Sequence, residues 1–304
     1  MRFGISIPQG AATAFDAGAF RAYVRRAEEL GFESGWTQEQ VLTMGGMPQA
    51  SAIETMTYAA ACTERLRLGC SVFVTPLHNP VHLAKSLATL DYFSGGRLEV
   101  GVGTGGRGRM FSAFEVDPSR LVTRFTEGVR LLKELWAKDT VTFDGQIWQL
   151  TDAAVDPKPA QRPGPPLWFG GSAAAALRRA VRYGDGFFGA GSTTTAAFVR
   201  QVGTVREALA ESGRDPGTFA LAKRIYFAID DDADRARRRV ADDLERLYGR
   251  PGLEAVAVAG TPEDVVAGTR EVAEAGAELI LFTPLSDEAR QMERVAAEVV
   301  PHVA

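Results

Sequence analysis

The sequence predicts a closed barrel of eight parallel strands with helices outside, the (β/α)8 or TIM-barrel class of α/β proteins. Three observations carry this. Short apolar runs alternate with helically spaced apolar patterns along almost the whole chain, and such alternation points to a parallel sheet. Eight such units in 304 residues match one barrel with modest insertions better than an open sheet with two edges. No G-x-G-x-x-G loop accompanies the first helix, so a dinucleotide-binding open sheet lacks its main support.

Phe3-Gly4-Ile5-Ser6-Ile7 reads as the first strand, stopped by Pro8. Residues 16–30 follow as a helix with Phe20, Val24, Ala27 and Leu30 on one face, and Gly31 ends it. Ser34–Gln38 is a poor strand by propensity, but its place after Gly31 suits one. Residues 50–63 read as helix, Arg67–Val74 as a buried strand, and Asn79–Tyr92 as a helix with Pro80 in its first turn. Leu98–Gly103 is the fourth strand. A helix over Arg120–Trp136 places Leu121, Phe125, Val129, Leu132 and Trp136 together. Thr140–Leu150 breaks the rhythm: VTF, Asp144-Gly145, QIWQL predicts a hairpin with a two-residue type I′ turn. The Pro-rich stretch 157–166 is a connector. Leu167–Phe169, Gly186–Gly189, Phe219–Ile229 and Leu279–Phe282 complete the strands, separated by helices near 172–183, 196–212, 231–247, 262–275 and 286–299. The expectation is a single domain over 1–304, with insertions near 104–118, 140–165 and 245–258.

Composition narrows the class but not the chemistry. The chain is 45% hydrophobic and 24% charged, as a soluble globular protein is, and large enough to hold a core without covalent staples. Lysines and arginines number 34 against 38 acids, a net charge of −4, which excludes a general nucleic-acid reader. No membrane-length apolar run and no basic-then-apolar leader appear, so a cytoplasmic location is expected. Cys62 and Cys70 sit in apolar surroundings and read as buried thiols. Three histidines, His78, His82 and His302, argue against a multi-ligand zinc site, and no metal is expected.

In a barrel, function gathers where strands end. Gly170-Gly171-Ser172 follows a strand and opens a helix, where free N–H groups attract phosphate; Ser172 either caps that helix or donates to the phosphate. Thr104-Gly105-Gly106-Arg107-Gly108-Arg109 is either a cover for an anionic ligand or a solvated loop. His82 reads as a packing or capping residue, whereas His78 precedes the helix and is the better candidate to face the mouth. No Ser or Cys nucleophile sits in an elbow, and Glu39 is nearly alone among strand-end carboxylates. Lys223, early in the long seventh strand, is expected at the end away from the mouth. A barrel so short of acid/base groups suggests that a cofactor carries the reaction.

The motifs Ala27-Glu28-Glu29-Leu30-Gly31-Phe32, Leu83-Ala84-Lys85-Ser86-Leu87-Ala88-Thr89-Leu90-Asp91, Ser94-Gly95-Gly96-Arg97-Leu98, Gly101-Val102-Gly103-Thr104-Gly105 and Pro166-Leu167-Trp168-Phe169-Gly170-Gly171-Ser172 occur in this order. With them the chain resembles the luciferase-like oxidoreductase superfamily of flavin- and F420-dependent enzymes, from Arg2 to about Leu285. The resemblance implies FMN or the deazaflavin F420 at the mouth, with the phosphate tail at Gly170, Gly171 and Ser172. It also implies a bulge with a non-proline cis peptide at Ser71–Val72 behind the ring, and Thr104 and Gly105 at the ring's polar edge.

Glu39, Gln40 and His78 are then the candidates to relay a proton or orient a carbonyl. Trp36 and Phe73 are expected as apolar walls for the substrate, with Trp168 either a wall or core. Arg107 and Arg109 are expected to meet an anionic substrate or the acidic tail of F420. Three departures matter. Glu39-Gln40 stands where many members carry Asp-His, His78-Asn79-Pro80 where many carry Arg-His-Pro, and Gly106 where the F420-dependent sugar-phosphate dehydrogenases carry Glu. The expectation is therefore hydride transfer with F420 ahead of FMN, on a small molecule other than a sugar phosphate. An FMNH2-dependent monooxygenase and a non-catalytic flavin-binding protein are the alternatives, and the resemblance implies a homodimer.

Overall fold

A computed structural model describes residues 1–10, 14–43, 48–106 and 110–303. The strands are β1 (Arg2–Ser6), β2 (Ser34–Thr37), β3 (Arg67–Val74), β4 (Leu98–Gly103), β5 (Val141–Asp144), β6 (Gln149–Ala153), β7 (Leu167–Gly170), β8 (Gly186–Gly189), β9 (Ala220–Ile229), β10 (Ala257–Gly260) and β11 (Leu279–Pro284). Between them run α1 (Ala17–Glu29), α2 (Ala52–Cys62), α3 (Pro80–Phe93), α4 (Met110–Ala113), α5 (Leu121–Ala137), α6 (Ala174–Tyr183), α7 (Thr195–Ser212), α8 (Ala233–Tyr248), α9 (Pro262–Glu274), α10 (Glu288–Glu298) and α11 (Val300–Val303). Parallel pairing in the order β1-β2-β3-β4-β7-β8-β9-β11 returns to β1, so the eight strands close a (β/α)8 barrel. Among the described residues no helix is long and apolar enough to cross a membrane. Both cysteines are free and buried.

Two apolar layers hold it. Outside the barrel, strand side chains such as Ile5, Leu68, Val100 and Phe282 meet helix side chains such as Val24, Met56, Leu87 and Val295. Inside, Trp36, Trp168, Phe188, Ala222, Leu279 and Leu281 fill the lower half. The two indoles fit because their neighbours lack side chains: a Cβ on Gly69 would overlap the Trp36 ring, and one on Gly186 would sit 2.6 Å from Trp168. Buried Glu99 fixes the second indole, accepting from Trp168 Nε1 at 2.6 Å and from Arg67 Nε at 2.5 Å.

Two elements differ from the sequence expectation. The region 245–258 is not all loop: it holds the last turn of α8, a 3-10 turn at Glu254–Val256 and the first two residues of β10. β9 is long enough to pair with β8 through Ala220–Lys223 and with β10 through Tyr226–Ile229, along the edge that β11 leaves open. The hairpin of β5 and β6 also turns more widely than a type I′ turn at Asp144-Gly145. Asp144 pairs with Gln149, so four residues form the loop, and Gly145 lacks the positive φ that such a turn needs. Glu127 on α5 explains the wider loop: its carboxylate accepts from the backbone N–H groups of Gln146, Ile147 and Trp148.

That loop bears on the mouth. Trp148 lies 4.4 Å from the Arg124 guanidinium, and Arg124 Nε donates to Pro76 O at 2.8 Å, two residues before His78. Glu127→Ala should lower unfolding stability by about 2–3 kcal/mol, because three amides lose a charged acceptor. Urea unfolding checks this, and a loss below about 0.5 kcal/mol contradicts the role given to Glu127.

Candidate active site

The strand ends surround two joined lobes. One, of about 280 Å3, is bordered by Ser71, Val72, Gly103, Thr104, Gly105, Gly170, Gly171, Phe188, Arg224 and the segment 189–192. The other, of about 330 Å3, is bordered by Glu39, Gln40, Gln49, Val74 and Leu247. Gln38, Ser71, Val72, Tyr226 and Tyr248 border both. A larger groove of about 900 Å3 lies outside the barrel between α1 and α10, and none of the candidate site residues borders it.

β3 sets the shape of the junction. Cys70 pairs with Val100 and Phe73 with Val102, so β3 carries one extra residue here, and the Ser71–Val72 peptide is cis. A bulge of this kind reverses the alternation of faces. Phe73 therefore joins Leu68 and Cys70 in the outer layer, fully buried, with its ring edge toward His78. It is not a cavity wall as expected; Val72 takes the inward place. Trp36 is also displaced from its expected role. It is 1% exposed in the interior layer below the mouth, with its indole N–H on Ser34 Oγ. Trp168 is core beside it.

Glu39 and His78 come together. Glu39 Oε1 lies 2.8 Å from His78 Nε2, and Oε2 accepts from Val74 N at 2.7 Å. One carboxylate thus ties the end of β2 to the bulged end of β3. Gln40 borders the second lobe, half-buried. Gly170 and Gly171 border the first lobe, while Ser172 follows them exposed. Ser172 does not cap the next helix: the N-cap position is Ala173, which has no side-chain acceptor, so α6 starts with its first amides uncapped. Arg107 and Arg109 lie outside the described residues.

The sequence reading missed Arg224 and misplaced Lys223. Gly189, the last residue of β8, pairs with Lys223, so the Lys-Arg pair stands at the mouth and not at the far end. Lys223 Nζ donates to the carbonyls of Ala190, Thr193 and Arg224 at 2.6, 2.9 and 2.8 Å, fixing the segment that borders the first lobe. Arg224 donates to Gln38 Oε1 at 2.6 Å, to Ser71 Oγ at 2.6 Å and to Ser71 O at 3.0 Å. Gln9 completes the net through Gln38 O and N. Above it the Tyr226 and Tyr248 hydroxyls meet at 2.8 Å. The available signal was two adjacent cations in the otherwise apolar run Ala220–Ile229.

The sequence pattern of luciferase-like monooxygenases matches residues 1–252. The chain belongs to that family. An F420-dependent glucose-6-phosphate dehydrogenase of Kineococcus radiotolerans is 29% identical over 96% of this chain and 95% of its own. An FMNH2-dependent dimethylsulfone monooxygenase of Pseudomonas putida is 29% identical over 77% of this chain and 64% of its own. Among solved structures, monooxygenase RslO1 from Streptomyces bottropensis superposes with a TM-score of 0.86 at 26% identity, covering all of both chains. As a family member the chain is of oxidoreductase type.

Burial, with Arg224 beside it, pushes the Lys223 ammonium down to about 7 from 10.5. The unfolded chain then keeps, over that interval, a proton that the folded chain gives up. Stability should rise with pH there by up to about 1.4 kcal/mol per unit relative to Lys223→Met, which cannot titrate. Parallel stability–pH curves for the two proteins contradict this.

Proposed function

We propose that the chain is an F420-dependent oxidoreductase that moves a hydride to or from a small organic substrate, with FMN as the second choice of ring. The observation that carries this reading is the pair of lobes meeting at Ser71–Val72. Together they reach the size of ligand pockets. The first lobe suits a flat ring with a phosphate tail: glycines at 103, 105, 170, 171, 189 and 191 keep side chains off its wall. A Cβ on Gly103 would come within 2.7 Å of Val72 Cγ2, so the bulge closes on this bare wall.

Gly170 and Gly171 hold the phosphate against the uncapped start of α6, where the N–H groups and the helix dipole favour an anion. Val72 backs the ring, and Thr104 and Gly105 border its polar edge. When bound, F420 accepts or donates a hydride at the carbon that stands in place of flavin N5. The substrate occupies the second lobe, where the Gln40 amide orients an oxygen and the Glu39–His78 pair holds the proton that accompanies the hydride. Gln40 in place of the usual histidine and the cations Arg107 and Arg109 favour F420 over FMN. Gly106 in place of a glutamate argues against a sugar phosphate as substrate. A homodimer through the α2 and α3 face belongs to the same reading, supported by exposed Tyr92 and Phe93 on α3; light scattering of the purified chain tests it.

Fluorescence quenching of F420 and titration with FMN and riboflavin test the cofactor. F420 should bind, and FMN should bind at least about tenfold tighter than riboflavin if α6 holds a phosphate. Anaerobic mixing with reduced F420 and a panel of enones and imines should give substrate-dependent reoxidation. FMN binding with no response to F420 reverses the order of cofactors. Binding without reoxidation across the panel favours a carrier.

A further inference from the structure

Arg224 is 7% exposed, and all three of its acceptors, on Gln38 and Ser71, are neutral. A guanidinium has five N–H donors, and a buried charge is costly unless an opposite charge accompanies it. Among the described residues no carboxylate forms an ion pair with Arg224. Glu39, next in sequence to its Gln38 partner, is tied to Val74 N–H and His78. Lys223 adds no negative charge and directs its donors at three carbonyls. Tyr226 and Tyr248 hydrogen-bond to each other. Position 38 is decisive here: a glutamate would satisfy the same 2.6 Å bond and cancel the charge, yet an amide stands there.

We infer that Arg224 is the fixed counter-charge of the first lobe and holds the bound ring in its anionic, deprotonated form. The inference rests on the flavin-type reading above. It makes Arg224 a binding residue for ring charge, distinct from the phosphate contact at Gly170–Gly171, and Gln38 the neutral partner that keeps that charge available.

Gln38→Glu tests this, because it retains the shape and the hydrogen bond while neutralising the guanidinium. Wild type, Q38E and R224K are each titrated with F420 and with FMN. For each ring that binds, its own acid–base step is followed by absorbance over about pH 5–9. That step is loss of the phenolic proton for oxidised F420, and loss of the ring N–H proton for anaerobically reduced FMN. Wild type should lower the step by about one unit from the free ring, a tenfold change. R224K should keep most of that shift and Q38E should abolish it. A bound ring that titrates alike in wild type and Q38E, or at its free value in wild type, overturns the inference and leaves the cofactor reading standing. If neither ring binds wild type, the cofactor reading falls and the inference falls with it.

Discussion

β9 runs for ten residues beside a β8 of four, and the backbone groups along its surplus edge need partners inside a packed protein. β10 supplies them by pairing with Tyr226–Ile229, as a ninth parallel strand outside the barrel count. The mouth follows from this mismatch. Lys223 and Arg224 enter the wall at the level where β8 ends, and Tyr226 rises above it beside Tyr248. Neither cation could be held in an apolar wall without acceptors. The carbonyls after β8 serve Lys223, and the bulge of β3 with Gln38 serves Arg224. The long strand thus gathers the ends of β2, β3 and β8 into one network.

Below that network the barrel is full, and above it the wall is bare. Trp36, Trp168 and Phe188 occupy the interior under the mouth, with the edges of their rings in mutual contact. Glu99, itself held by Arg67, keeps the Trp168 indole in place. The two lobes lie above this layer, where glycines at the ends of β4, β7 and β8 remove side chains. The contrast is written in residue size: bulky aromatics at one level, glycines at the next.

Much of the fold was legible because period and punctuation agree. Eight barrel strands and their helices follow from apolar runs broken at Pro8, Gly31, Gly95 and Pro166. The failures share a cause, since each depends on a partner distant in sequence. Asp144-Gly145 has the residues of a tight turn, but the Glu127 carboxylate, on another element, holds a wider one. β10 was invisible because Ala257–Gly260 is short, and only the unmet edge of β9 makes it a strand. Phe73 is assigned outward by one extra residue in β3, which reverses the alternation counted from the strand start. Lys223 was placed at the wrong end because strand stagger cannot be read from one strand. In the site, Glu39, Gly170 and Gly171 stood out at strand ends and Gln40 and Gly105 gained their places from the resemblance, whereas Gln38, Arg224, Tyr226 and Tyr248 needed the register.

Trp36 and Gly69 face one another across β2 and β3, with the indole in the volume that a side chain at 69 would take. Such a pair changes only as a unit. Either residue altered alone leaves an overlap or a void, so their substitution effects are strongly non-additive. Substitution at the glycines above narrows the site, so single steps that widen it fall to the loops around the mouth. A deeper pocket reached by shrinking the indole alone carries the cost of the void it leaves, and a side chain added at 69 refills that volume.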